Sequence, residues 1–508
     1  MNEHKIKEPS IWLSLIPVVV LVALLFIAIR IFGANALSGG NQIILLTAAA
    51  VCCAITMLYC KTRWADIEKS IIDNIAGVSP AILILLIIGA LSGTWMISGI
   101  VPTFIYYGIQ IIHPSFYLVS TCIICSVVSV MIGSSWTTIA TIGVALLGIG
   151  QVQGFSPGWI AGAIVSGAYF GDKISPLSDT TILASSVTDT PLFTHIRYMM
   201  ITTIPSLIIA LIIFTVAGFS YNVTATDKIV LYTTSLKQTF NISPWLLIIP
   251  AITFFMIVKK VPAIITLFSS AVMAGIAALI AQPHLLHAIS GLEISGIASK
   301  FKGLLMIFYG STSIEMGNAE LNDLVSTGGM AGMMDTVWLI ICAMVFGGVM
   351  MASGMLKRLT YSFIHLVKRT VSVVASTVGC GLFLTLTTAD QYIAIVLNGK
   401  MFKDVYKKKG YESRLLSRTT EDAVTVISPL VPWNTCGMTQ ATILGVPTLT
   451  YLPYCFFNLI SPIMSITVAA LGYKIFKTKP NEDETITETG VAEPKATNTI
   501  TSVQSNQE

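Results

Sequence analysis

The sequence predicts an all-α polytopic membrane protein of about ten to twelve transmembrane helices in two inverted repeats, each with a re-entrant helical hairpin and a discontinuous helix. Three observations lead there. The chain is 54% hydrophobic and only 11% charged, where soluble domains carry about 25% charged residues. Its apolar runs reach the roughly 20 residues a helix needs to cross a bilayer, and helices are favoured because a spanning segment must satisfy its own backbone polar groups. Short landmarks also recur at a spacing of half the chain.

Residues 1–10 form a cytoplasmic N-terminus in which Lys5 and Lys7 precede the apolar run Ile11–Ile29. That run exceeds the 7–15 residues typical of a signal h-region, so it is read as a retained first helix, and "ANA" at Ala34–Ala36 as no cleavage site. Residues 11–218 are assigned to the first repeat with its leading helices. Within it, Asn74 to Gly171 contains no Asp, Glu, Lys or Arg. Phe116–Gly150 is too long for one helix and is interrupted by "GSSWTT" (Gly133–Thr138), which predicts a hairpin that enters and returns. Gly158–Ser186 is apolar at its ends and broken around Pro176, the pattern of a discontinuous helix. Leu207–Gly218 closes the repeat, and 219–260 holds a connecting loop and a linking helix.

The second, inverted repeat is assigned to 261–473. It contains the apolar runs Val261–Ala281 and Thr336–Leu356, with the mixed stretch Lys302–Asp335 between them as a partial span. Thr370–Gly399 is the second hairpin, with "TTADQ" (Thr387–Gln391) at its tip, and Leu415–Gly445 the second discontinuous helix. Leu449–Tyr473 is the last span, and 474–508 a disordered cytoplasmic tail, too poor in apolar residues to fold.

The repeat rests on several landmarks. "ISPL" stands at Ile174–Leu177 and again at Ile427–Leu430, a spacing of 427 − 174 = 253. "LII" at Leu86 recurs at Leu339 with the same spacing, and Ser98-Gly99 recurs as Ser353-Gly354. Shared spacing among unrelated landmarks argues for internal duplication. Charge then gives its sense. The connections Gly108–Ser115 and Gln151–Gly158 hold no Lys or Arg. Their counterparts hold Lys357, Arg358, Lys368 and Arg369, then Lys400, Lys403, Lys407, Lys408, Lys409, Arg414 and Arg418. Cytoplasmic loops carry the excess of these residues, so equivalent loops lie on opposite sides and the repeats are inverted. A basic run that is only a solvated loop would not explain its absence from the partner loops.

Where the helices break, polar residues gather. Asp172, Lys173 and Asp179 fall within eight positions of the otherwise oily first repeat. Intramembrane ionisable residues cost about 2.5–3.5 kcal/mol each even on the lenient insertion scale, which makes them functional candidates. "SPLSDTT" supplies Ser175, Ser178, Asp179, Thr180 and Thr181, oxygen donors of the kind a hard cation requires. Asp172 and Asp179 are read as carboxylate ligands of a transported Na+, and competition between Na+ and a proton for such a group is the simplest physical basis of antiport. The competing reading is that Asp172 and Lys173 cap a helix end and neutralise each other. The first hairpin tip adds Ser134, Ser135, Thr137 and Thr138; the second adds Thr387, Thr388 and Asp390, which the 253 spacing sets opposite Thr137. Asp422 is assigned to the site, whereas Glu421 is expected to pair with Arg414 and Arg418 near the surface. Asn434 and Thr435 of "VPWNTCG" are read as neutral cavity-lining groups.

Other chemistries find little support. The nine cysteines are scattered, and Cys122/Cys125 have no second pair or nearby His, which favours packing over metal or redox work. His284 and His287 flank the end of an apolar run beside a proline. No GxxxxGK[ST] or HExxH occurs, against a nucleotide-driven pump or a metallohydrolase. A channel would need a continuous pore, which broken inverted repeats do not suggest.

"GSSWTTIATIGVALLGIG", "GAIVSGAYFGDKISPLSDTTILAS", "HIRYM" and "STGGMAGMMDTVWLI" resemble, in order and spacing, the NhaC-type Na+/H+ antiporter family, which also includes malate-2H+/Na+-lactate antiporters. The resemblance runs from about Ala81 to Leu471. It implies an exchanger of the bacterial inner membrane with the ion-transporter fold, both termini cytoplasmic, not an enzyme. It implies no cofactor beyond transported Na+ and H+, with membrane lipid as surroundings and no nucleic acid as partner. A small carboxylate or amino acid as additional cargo is the alternative, and a homo-dimer is compatible with the family.

Overall fold

Helices that are apolar on all sides cannot turn a polar face to water, so they pack side by side and leave their outermost residues to lipid. The computed structural model describes residues 9–32, 39–220, 226–259, 261–294, 296–316, 322, 325–364 and 369–478. Among these the structure is helical, and the β-pairing consists of two isolated bridges, Thr312 with Thr327 and Tyr411 with Lys477. Among the described residues eight helices are long and apolar enough to cross a membrane, or ten if each of two bent pairs forms one span.

One order of elements occurs twice. The first copy runs Trp64–Ile97, Ile100–Ile111, a hairpin of Tyr117–Ile132 and Ser135–Val152, a broken helix of Pro157–Ile174 and Asp179–Val187, then Leu192–Ser220. The second runs Met334–Ala352, Met355–Ile364, a hairpin of Thr370–Thr388 and Gln391–Lys408, a broken helix of Ser413–Thr420 and Thr435–Leu444, then Phe456–Ala470. Together with the one-sided Lys and Arg, this is an inverted repeat.

The backbone corrects the register read from "ISPL". The first hairpin turns at Gly133 (φ 73°) and the second at Ala389 (φ 57°). The returning arms are capped by Ser134 and Asp390, and the second halves of the broken helices by Ser178 and Asn434. Both cap pairs are separated by 390 − 134 = 434 − 178 = 256 positions. Asp390 is thus the counterpart of Ser134, not of Thr137. The difference arises because the first "ISPL" forms the helix break itself. The second lies inside a longer break that follows a π turn (Glu421–Thr425), and its 3-10 turn (Ser428–Leu430) stands four residues before the Asn434 cap, where Leu177 stands one before Ser178. A left-handed alanine costs about 1–2 kcal/mol; at Ala389 the carbonyl is engaged by the Thr435 amide at 2.8 Å.

Small residues bring the first hairpin against the first broken helix. A methyl group on Gly171 would stand 2.5 Å from Cβ of Ser129, and the Ser129 hydroxyl donates to the Ala168 carbonyl at 2.6 Å. Such close approach of backbones is how helices associate where lipid removes the hydrophobic drive. It sets Asp172, the next residue, against the hairpin tip.

At the C-terminal end, 474–478 begins with an exposed turn and then runs beside the loop at 410–412: the Thr478 amide donates to the Gly410 carbonyl at 2.9 Å. The remainder of the polar tail, and residues 1–8, lie outside the described residues. Sidedness has a direct test. Gln153 is buried and its amide donates to the Ile112 carbonyl at 2.8 Å, so the exposed Pro157 is the probe position in that connection. In a cysteine-free background, a cysteine at Pro157 is expected to react with an impermeant maleimide from outside, and one at Lys408 only from inside. Reaction of both from the same side would overturn the inversion.

Candidate ion-binding site

Four helix starts meet in one place because each hairpin and each broken helix interrupts its own hydrogen-bond ladder there. Each new start is capped by a side chain whose oxygen accepts an otherwise orphaned amide proton. Ser134 Oγ accepts from the Thr137 amide at 3.2 Å, Ser178 Oγ from Thr181 at 3.4 Å, Asp390 Oδ1 from Ile393 at 2.9 Å and Asn434 Oδ1 from Cys436 at 3.0 Å. Non-helical backbone persists at such depth only beside protein or a watery cavity, and a cavity of about 700 Å³ lies here.

Seven of the sequence-assigned residues line it: Ser134, Thr137, Asp172, Asp179, Thr180, Asp390 and Thr435. Three are carboxylates, one from each half of the first broken helix and one from the second hairpin. Asp172 is 6% exposed, and its Oδ2 accepts from the Ser135 hydroxyl at 2.7 Å. Asp390 is 2% exposed, with Oδ2 3.3 Å from the Thr435 hydroxyl. Asp179 differs: it is exposed to the cavity. Its carboxylate forms no hydrogen bond or ion pair among the described residues. Sequence reading treated Asp172 and Asp179 alike; tertiary structure makes one a braced, buried group and the other an accessible one.

Several assigned residues serve the backbone. Ser175 donates to the Val130 carbonyl at 2.8 Å, joining the broken helix to the hairpin. Thr181 donates to the Lys173 carbonyl at 3.0 Å, closing the break. Thr138, Thr387 and Thr388 bond back to carbonyls one turn earlier, and Asn434 also donates to the Thr385 carbonyl at 3.1 Å. These residues shape the breaks and do not face the cavity. Ser178 likewise acts as a cap, 3.0 Å from the Thr180 hydroxyl.

Asp422 is removed from the cavity altogether. It is fully buried and forms an ion pair with Lys173, its Oδ1 also accepting from Thr202 at 3.1 Å and Ser461 at 3.3 Å. Lys173 is therefore the counter-charge of Asp422 and not of Asp172. Arg418 lies 3.8 Å from the other Asp422 oxygen and 4.7 Å from the centre of the Tyr198 ring. The expectation that Glu421 pairs with Arg414 and Arg418 at the surface is also wrong. Arg414 pairs with Glu412, and Glu421 is fully buried with neither oxygen hydrogen-bonded among the described residues. A basic loop nearby in sequence suggested a surface position, but the helix carries these residues inward.

The cavity has walls that sequence reasoning missed. Gly77, Pro80, Ala81 and Ile84 come from the long helix Trp64–Ile97, and Val261, Pro262 and Thr266 from the start of Ala263–Ala281. No local polarity marks them. Trp136, Gln391 and Tyr392 also line it; the first two were within reach, since they belong to the interrupting motifs. A second cavity of similar size is lined by Ser92, Gln151, Gly154, Pro157 and Thr442–Gly445. The helix Thr435–Leu444 thus has its first residue on one cavity and its last on the other.

The chain matches the sequence pattern of the Na+/H+ antiporter family over residues 3–183 and 167–473. It belongs to that family. Similar proteins include the "Na(+)/H(+) antiporter NhaC" of Bacillus subtilis, 36% identical over 84% of this chain and 90% of its own length. The protein of the same name from Alkalihalophilus pseudofirmus is 37% identical over 82% and 88%. The "Malate-2H(+)/Na(+)-lactate antiporter" of Bacillus subtilis is 36% identical over 82% and 86%. Among the described residues of this antiporter no cluster of three or more His, Cys, Asp or Glu has metal-holding geometry. The nine cysteines are free thiols, most of them buried among apolar neighbours.

Proposed function

We propose that this family member exchanges Na+ for H+ across the inner membrane of a bacterium by alternating access. The observation that carries the reading is the convergence of Asp172, Asp179 and Asp390 with the hydroxyl-bearing Ser134, Thr137, Thr180 and Thr435 on one cavity. Oxygen donors of both kinds suit a hard monovalent cation, and each carboxylate can hold a proton in its absence. Asp172 and Asp390, braced by Ser135 and Thr435, are the binding groups, and Asp179 receives the ion at the cavity mouth. The cavity borders the start of the helix Ala263–Ala281, which Lys259 precedes, and this supports a cytoplasmic-facing cavity. The second cavity lies toward the charge-free connection at 151–157, on the outside. Exchange then consists of opening one cavity while sealing the other around the helix Thr435–Leu444. Both termini are cytoplasmic, and the protein transports without chemical conversion of its cargo.

One observation favours a second cargo. Four capped helix starts aim their partial positive charge at the site, and about 700 Å³ falls within the usual range for a small organic ligand. A small carboxylate could be carried together with the ions, as the name of the malate/lactate relative states for that protein.

The test is transport in proteoliposomes with Na+, Li+ or K+, with and without malate, lactate or amino acids. Na+ alone is expected to drive proton movement. A proton and Na+ that share one carboxylate exclude each other, so apparent Na+ affinity should fall by up to about tenfold for each unit drop in pH below the point where that group protonates. Affinity independent of pH, or absolute dependence on an organic anion, would reject the Na+/H+ reading.

A further inference from the structure

Among the described residues three helical elements line both cavities. The helix Trp64–Ile97 lines the first with Ala81 and Ile84 and the second with Ser92 and Met96. The returning arm of the first hairpin gives Trp136 and Thr137 to the first, then Val144 and Leu147 to the second. The helix Thr435–Leu444 gives Thr435 to one and Thr442 to the other. From Ile84 to Ser92, from Thr137 to Val144 and from Thr435 to Thr442 the chain advances seven or eight residues, about 10–12 Å along a helix. The wall between the cavities is therefore a single layer of side chains.

Helical spacing says which residues make that layer. Ile88 shares a face with Ile84 and Ser92, Met438 with Thr435 and Thr442, and Ala140 with Thr137 and Val144. Ile88 and Met438 are each 1% exposed, and Ala140 is 5% exposed. None of the stretches 85–91, 138–143 and 436–441 contains Asp, Glu, Lys or Arg. Their polar groups turn elsewhere. Thr141 donates to the Thr137 carbonyl and Thr439 to the Thr435 carbonyl, both at 2.7 Å, while Gln440 donates to the Tyr169 hydroxyl of the first broken helix at 3.3 Å. The helix Thr435–Leu444 packs on both other elements, meeting the hairpin arm at a π turn, Ile139–Gly143.

We propose that Ile88, Ala140 and Met438 form the gate between the two cavities, and that its dryness couples Na+ to H+. The proposal rests on the Na+/H+ reading and adds to it residues that touch no ion. A cation entering this layer finds no oxygen to replace its water, and narrow apolar constrictions close by dewetting. With the gate shut, Asp172, Asp179 and Asp390 communicate with the first cavity alone. An ion bound there reaches the second cavity only when the layer parts, after the first cavity has closed. The π turn is where the arm yields: such turns within α-helices concentrate at functional positions, and this one carries Ala140 itself. A wetted layer would join the cavities and let Na+ run down its gradient with no proton in return.

Met438→Gln tests this, because glutamine is close to methionine in length and sets an amide in the dry layer. Proteoliposomes are loaded with Na+, with pH equal on both sides and the potential held at zero by K+ and valinomycin. Na+ efflux from the variant is expected to rise by about tenfold, and protons moved per Na+ to fall below about half the unmodified value. Met438→Leu keeps the layer apolar at similar volume, and its ratio should stay within about twofold of the original. Ile88→Thr wets the layer from the opposite wall and should leak as Met438→Gln does; if the glutamine variant does not fold, Ile88→Thr decides. An unchanged proton-to-sodium ratio in the folded polar variants overturns the proposal. So does a slowing of both fluxes in step, the result of a layer that serves packing alone. Failure of the unmodified protein to exchange Na+ for H+ would instead remove the Na+/H+ reading, and this proposal with it.

Discussion

Asp172→Asn is expected to abolish Na+-driven proton movement in proteoliposomes and to weaken Na+ binding by about 30- to 150-fold. The carboxylate is nearly closed off from solvent and is held in one orientation by the Ser135 hydroxyl at 2.7 Å. Asparagine keeps the volume and one oxygen, so packing against the hairpin tip at Ser135 survives. What is lost is the full charge. A hydrogen bond or contact to a charged group contributes about 1.5–3 kcal/mol, and about 1.4 kcal/mol corresponds to tenfold in affinity, which gives the stated range for about 2–3 kcal/mol. The proton goes as well, because an amide does not titrate. Asp179→Asn, at an open and unpaired position, should cost less affinity and act mainly on the rate of ion entry. Folded Asp172→Asn protein that exchanges at the unmodified rate would remove this residue from the site.

Lys173→Met should have the largest effect on stability. The ammonium is fully buried against Asp422, and Asp422 also receives hydrogen bonds from Thr202 and Ser461. Breaking a buried pair by removing one partner costs about 3–5 kcal/mol, since the remaining charge has no water to turn to. Replacing both partners with apolar groups of similar size is often close to neutral. The variant is therefore expected to accumulate poorly and to unfold at clearly lower temperature in detergent. Adding Asp422→Leu should recover part of that loss. A single variant as heat-resistant as the original protein would show that the pair contributes nothing to the fold.

Comparison of these two neighbours shows how far sequence reasoning reached. Asp172 was identifiable because a charge inside a long uncharged stretch is costly and needs a purpose. The same argument marked Lys173 but offered only Asp172 as an alternative partner, since Asp422 is 249 positions away and no local pattern joins them. The interrupting motifs "GSSWTT" and "TTADQ" located both hairpin tips, because polar groups cannot lie in mid-membrane except where a helix ends. The internal spacing revealed the duplication, yet "ISPL" fixed its register three positions short. A turn's place is set by dihedral angles and caps, as at Gly133 and Ala389, and not by letters that happen to repeat.

By itself, then, the sequence determined that the chain crosses the membrane repeatedly, that it is built twice with opposite sense, and that oxygen-rich breaks lie at corresponding depths. Those properties follow from local composition, since lipid admits only self-satisfied backbone and cytoplasm retains positive charge. Tertiary structure alone decided which oxygens meet. Helix packing through Gly171 turned Asp172 into the cavity wall and left Asp179 open, and packing of the turn Glu421–Thr425 on Thr370–Thr388 drew Glu421 and Asp422 inward from a stretch that looks like surface. A side chain's burial and its partners depend on the rotation and crossing of distant helices, and those are set by contacts between segments that share no sequence neighbourhood.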